Sequence, residues 1–132
     1  MHNHRLRFLH SLFFLAVGLI VGCSPSASPA VIVERYLEAI ADKDVVAAAN
    51  LSCLTWEEDA YAEASSFETV EVRLEDVSCQ VDEGSDEYQL VTCGGEIVAN
   101  YGGEDQNIPL ASREFYVIEE GGAWRMCGYS AP

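Results

Sequence analysis

Apolar positions recur along this chain with two periods, a helical one first and a strand-like one later. Val33, Tyr36, Leu37 and Ile40 fall at i, i+3, i+4 and i+7, the stripe of an amphipathic helix. Ser28 supplies a capping side chain, Pro29 suits the first helical position, and Asp42-Lys43-Asp44 interrupts the stripe. Val45 to Leu51 predicts a second, short helix. Thr55-Trp56-Glu57-Glu58 has the form of a capping box opening a third, which runs to Ser65. From Val70 the period becomes two. Val70, Val72 and Leu74 alternate with Glu71, Arg73 and Glu75, and then the apolar phase slips to Val77, Cys79 and Val81. A one-residue slip predicts a bulge near Asp76, because an extra residue returns the apolar side to the core.

Three further strands are predicted. Tyr88 to Tyr101 is long, with Gly94-Gly95 as a kink, and Gly102-Gly103 reads as a turn. Leu110 to Glu120 and Ala123 to Tyr129 flank Gly121-Gly122, a two-residue hairpin signal. That turn sets Val117 against Met126 and Phe115 against Gly128, with Trp124 on the same side. Helices followed by a bent antiparallel meander make an α+β domain with its helices packed on one sheet face. There is no internal repeat and no second boundary.

The N-terminal segment is of another kind. Arg5 and Arg7 precede an apolar core from Leu12 to Val21, the layout of a secretory signal. From Leu12 to Gly22 there are 11 residues, short of the roughly 20 that a membrane-spanning helix needs. Ile20-Val21-Gly22-Cys23 resembles a bacterial lipobox, in which a signal peptidase cuts ahead of a lipid-bearing cysteine. The resemblance implies a signal peptide over residues 1–22, a lipidated flexible tether over 23–30 and a domain over 31–132. Cys23 would then anchor the protein to the outside of the cell membrane. Each buried methylene of the lipid contributes about 0.8 kcal/mol, so more than one chain is needed for stable retention.

The chain has five cysteines, an odd number for an oxidising compartment. Assigning Cys23 to lipid leaves Cys53, Cys79, Cys93 and Cys127, an even set with three possible pairings. Their intervals of 26, 14 and 34 residues lack the short spacing of zinc motifs. A hairpin centred on Glu83-Gly84-Ser85-Asp86-Glu87 sets Val81 against Val91 and Cys79 against Cys93, which favours Cys79–Cys93 and leaves Cys53–Cys127. Neither pair has the C-x-x-C form of redox enzymes.

Charge narrows the partners. All three histidines and two of the seven basic residues precede Cys23, leaving five basic residues against 22 acidic ones, a net charge of −17. A field of that sign repels nucleic acid and anionic lipid headgroups and attracts cations or a basic partner. No calcium-loop spacing and no phosphate-cradling glycine loop is present, and no cofactor or metal is implied. Without histidine downstream of Cys23, Ser/His/Asp and Cys/His nucleophile systems are excluded.

The helix Val33-x-x-Tyr36-Leu37-x-Ala39-Ile40-x-x-Lys43-Asp44 and the closing Gly121-Gly122-Ala123-Trp124-Arg125-Met126 hairpin resemble NTF2-like domains. They most resemble the small NTF2-like bacterial lipoproteins of unknown function (SnoaL/cystatin-like superfamily), over Ala30 to Tyr129. The resemblance implies a cone in which helices and a concave sheet enclose a cavity, with a cystatin-like helix-on-sheet arrangement as the alternative. Fold alone does not assign activity. Tyr36, Trp56, Phe67, Tyr101, Phe115 and Trp124 are the residues that would line an apolar cavity or fill a core.

The expected function is therefore non-enzymatic: binding a small apolar ligand or a protein partner at the membrane surface. The rival is a histidine-free isomerase or dehydratase, with Asp42 or Asp59 as a buried base and Tyr36, Tyr61 or Tyr101 as hydrogen-bond donor. A third reading is an accessory subunit that presents its sheet edge or face to a larger complex, and it predicts an exposed apolar patch.

Overall fold

A computed structural model of the chain describes residues 26–131. The signal segment and Cys23 lie outside the described residues. Helix α1 (Pro29–Ala41) begins as its sequence directs: Pro29 takes the first turn and the Ser28 hydroxyl accepts from the Val31 amide. Its stripe of Val33, Tyr36, Leu37 and Ile40 is fully buried. Helix α2 (Val45–Asn50) is capped by Asp44, whose Oδ1 accepts from the Ala47 amide at 2.9 Å. Helix α3 (Glu57–Ser66) starts without a side-chain cap, so the Thr55 capping box does not form. Thr55 instead sets its hydroxyl 3.2 Å from the Cys53 sulfur. The acidic first turn of Glu57, Glu58 and Asp59 still favours this helix end, where the macrodipole is positive.

Five strands follow: β1 (Glu71–Gly84), β2 (Tyr88–Tyr101), β3 (Glu104–Pro109), β4 (Glu114–Glu120) and β5 (Ala123–Ser130). They form one open, curved antiparallel sheet in the order β1-β2-β4-β5, with β3 beside the second half of β2. All three helices lie against the inner face, where Val91, Ile97, Phe115, Val117 and Met126 are buried with the α1 stripe. Cys79 opposes Cys93 and Val81 opposes Val91, the hairpin register read from the sequence.

The predicted bulge is present. The register slips between Glu75 and Ser78, and Asp76 takes a positive φ of 52°. Gly95 faces it at φ 84°, and a β-carbon there would lie 2.4 Å from the Glu75 carbonyl oxygen. Bulge and glycine together bend the long hairpin, and β2 changes partner at this bend, from β4 (residues 88–92) to β3 (residues 96–101). Gly95→Ala is therefore expected to cost at least about 2 kcal/mol, read as a lowered urea midpoint. Gly94→Ala, with open space at its β-carbon, should lie close to wild type, and equal losses at both sites would refute the account of the bend.

Two sequence expectations need correction. β4 begins at Glu114, not Leu110, and an unpredicted strand, β3, precedes it. That strand reads Glu104-Asp105-Gln106-Asn107-Ile108-Pro109, with a single apolar side chain among polar ones, so no period of two marks it. Polar contacts support it instead: Asp105 accepts from Arg73 and from Asn100, and Asn107 donates to Glu96. In the β4–β5 hairpin Val117 opposes Met126 as expected, but Phe115 opposes Tyr129 rather than Gly128. An irregularity between Phe115 and Val117 adds a residue to β5 and carries the Tyr129 side chain to the inner face.

Candidate functional site

Inside the cone, α1, α3 and β5 bring together a set of polar side chains that are scattered in sequence. Glu63 lies one turn beyond Ala60 and beside Ala64, on the face by which α3 packs onto the core, and both alanines are fully buried. Its carboxylate accepts from the Tyr36 hydroxyl at 2.6 Å and from the Tyr129 hydroxyl at 3.1 Å, one oxygen for each. The Trp56 indole N–H donates to the Tyr36 oxygen at 3.2 Å. Arg113 places its guanidinium 4.6 Å from the Tyr129 ring centroid and 4.0 Å from a Glu63 oxygen. Glu63 and Arg113 are each 18% exposed, so the charged end of the network is at the rim of the core.

The environment acts on both phenols in one direction. Burial, and then the Glu63 charge, raise the Tyr36 hydroxyl far above the ordinary tyrosine value. The same two causes raise Tyr129, which is less enclosed and is opposed by Arg113. Both tyrosines are therefore held as neutral donors to the carboxylate. Ring packing closes the set: Trp56 meets Tyr129 edge-on at 5.8 Å, and Phe115 tilts against Tyr129 at 5.7 Å.

Of the side chains expected to line a cavity, Tyr36 and Phe115 are fully buried and Trp56 packs beside them, so these three share one region. Phe67 is buried beyond the end of α3, and Trp124 packs partly buried against the core from β5. Tyr101 stands 45% exposed at the β2–β3 turn and joins no cavity. The carboxylates expected to act as base do not reach the interior: Asp42 caps the end of α1 and Asp59 opens α3, both exposed, and Tyr61 is exposed too. The carboxylate that does reach it is Glu63, which sequence reasoning missed. Its one signal was its position on the buried alanine face of α3.

Grooves lie on the outside of the molecule. One of about 450 Å³ is lined by Asn50, Ser52, Glu57, Glu120 and Arg125, and one of about 460 Å³ by Ser78, Gln80, Thr92, Gly94 and Ala111. Among the described residues no group of three His, Cys, Asp or Glu side chains is placed to hold a metal ion. Two disulfides, Cys53–Cys127 and Cys79–Cys93, fit a non-reducing compartment. No helix of the described residues is long and apolar enough to cross a membrane.

No protein-family model matches the sequence, and no curated protein matches it. Solved structures do. Aln2 from a Streptomyces species is similar at a TM-score of 0.55 and 14% identity, covering 76% of this chain and 85% of that one. RPA3114, a SEC-C motif containing protein from Rhodopseudomonas palustris, is similar at 0.50 and 18% identity, with coverage of 80% and 82%. Bd1075 from Bdellovibrio bacteriovorus is similar at 0.50 and 13% identity, and 77% of this chain spans 38% of it. At these identities the likeness shows the fold alone, an α+β cone of the NTF2-like kind.

Proposed function

We propose that the chain is exported, cut ahead of Cys23 and lipidated there, so that residues 31–132 work as a non-enzymatic binding domain on the outside of a bacterial membrane. The lipobox-like Ile20-Val21-Gly22-Cys23 and the two disulfides support the location. The observation that carries the non-enzymatic role is the filled interior of the cone. Tyr36, Phe115, Leu37 and Met126 occupy it without exposure, and both Glu63 oxygens accept from the chain's own tyrosines. A general base must come within hydrogen-bond reach of its substrate's proton, and here that reach is taken by Tyr36 and Tyr129. A domain closed in this way meets what it binds on its exterior, which favours a protein partner over an enclosed apolar ligand.

One observation favours a second reading. A carboxylate between two neutral phenols is the acid/base constellation that an isomerase or dehydratase without histidine would use. Tyrosine acetylation with N-acetylimidazole, read by mass spectrometry on the native protein, separates the two. The closed domain labels at the exposed Tyr61, Tyr88, Tyr101 and Tyr116 and spares Tyr36. Labelling of Tyr36 at the rate of the exposed tyrosines would turn the assignment to the enzyme. The same spectra read the anchor: a chain starting at acylated Cys23 with four oxidised cysteines is expected, and a full-length chain with free thiols would refute export.

A further inference from the structure

The outer face of the sheet is divided into two halves that the protein treats differently. Over the β3 half it covers itself. Arg73 bridges Glu75 and Asp105, Asn100 donates to Asp105, and Asn107 donates to Glu96. Val98, opposite Arg73 and Asn107 on this face, is left 1% exposed. Over the β4 half nothing of the kind is built. Val91, Phe115 and Val117 point inward, so the alternating residues Tyr88, Leu90, Tyr116 and Ile118 point outward. The pairings Tyr88–Ile118 and Leu90–Tyr116 join them into one patch. Tyr88 is 44% and Tyr116 37% exposed. The groove floored by Gly94 between Ser78, Gln80 and Thr92 continues this patch across β2 onto β1.

Charge is arranged around the patch, not within it. Asp82, Asp86, Glu87 and Glu114 stand exposed on the same ends of β1, β2 and β4. The ion pairs among the described residues involve Arg73 and Arg113, so none of these four carboxylates is paired. An uncharged aromatic centre with a polar rim is the anatomy of a protein interface. Here the rim has a single sign.

We infer that this face is the docking surface for a basic protein partner, which sets an apolar side chain on the Tyr88–Tyr116 patch and rings it with lysine or arginine. The inference rests on the reading of the domain as a binding module and adds the surface and the chemistry of what it binds. Charge decides among the possible occupants. A second copy carries the same net charge of −17, and an anionic lipid surface is also negative, so both are repelled. A cationic partner is steered in, gains the unpaired rim carboxylates and can lay its cations over the tyrosine rings.

Two synthetic lysine-rich peptides, identical but for a central tryptophan or serine, test this against the native lipidated chain in zwitterionic micelles at about 0.15 M salt. The tryptophan peptide is expected to bind about tenfold more tightly. Tyr88→Ser with Tyr116→Ser should abolish that preference and leave serine-peptide binding unchanged, while Tyr116→Phe retains the preference. Glu87→Gln with Glu114→Gln should weaken both peptides. Near-UV circular dichroism confirms that each variant is folded. Equal binding of the two peptides to wild type, or a preference that survives the tyrosine substitutions, overturns the proposal. So does a wild-type dimer in sedimentation that the same substitutions dissociate, or adsorption to anionic vesicles through this face. If the peptides fail while Tyr36 stays protected from acetylation, the docking surface falls and the closed binding domain stands.

Discussion

Replacing Cys53 and Cys127 together by alanine lowers the unfolding free energy by about 4 kcal/mol, as expected for a cross-link over a long loop. The two cysteines are 74 residues apart, so reduction frees most of the domain in the unfolded ensemble. The native state also depends on this bond. Cys53 is fully buried, and its amide donates to the Met126 carbonyl at 2.8 Å, while the Met126 amide donates to Leu51 at 2.8 Å. The segment 51–53 thus pairs along β5, and the disulfide fastens it there, covering an edge that would otherwise be free to pair with another chain. Cys79→Ala with Cys93→Ala opens a loop of only 14 residues and should cost less, about 3 kcal/mol. Urea unfolding of both double variants reads the difference, and a larger loss for the short loop would contradict this account.

Tyr36→Ala is expected to cost about 4 kcal/mol, the range for removing a large buried ring. Tyr36→Phe isolates the hydroxyl. It keeps the ring but takes from Glu63 its shortest hydrogen bond and from the Trp56 N–H its acceptor, a loss of about 2 kcal/mol. The pH dependence has a definite sign. Burial, then Glu63, raise the folded pKa of Tyr36 above its ordinary value of 10.0. Below that value both states hold the proton and the contribution is fully present. Above it the unfolded chain loses the proton while the folded one keeps it, so stability falls as pH rises. The slope for Tyr36 is up to about 1.4 kcal/mol per pH unit, and it is smaller for the more exposed Tyr129. Tyr36→Phe should therefore be less stable than wild type at neutral pH but decline less steeply between about pH 10 and 12. Parallel curves for the two proteins would remove Tyr36 from the alkaline transition.

Wherever burial repeated with a local period, the sequence was readable. The α1 stripe, the slip at Asp76 and the Cys79–Cys93 register each follow from which side chains must face inward over a few residues. β3 was not readable, because its support is a set of side-chain bonds to β1 and β2 and not an apolar alternation. The Thr55 cap failed because the Cys53–Cys127 bond claims that segment. Phe115 missed its predicted partner because the extra residue in β5 has no signature in apolar phase. The site shows the same division. Tyr36 was named from its place in the helix stripe, whereas Asp42 and Asp59 were favoured as bases and both proved to sit at exposed helix ends.

The chain's order of apolar and polar residues determined that helices would precede a bent antiparallel sheet, and where the bend would fall. It also set the excess of negative charge and the even cysteine set downstream of Cys23. These are properties of neighbours a few residues apart, or of simple counts. Only the tertiary structure decided that Glu63 would lie between Tyr36 and Tyr129, separated from them by 27 and 66 positions, and that the cone would be filled by its own side chains. It likewise decided that Tyr88 and Tyr116 would be left facing outward together. Contacts between distant segments depend on how strands register and helices pack, and no local pattern in the chain records that choice.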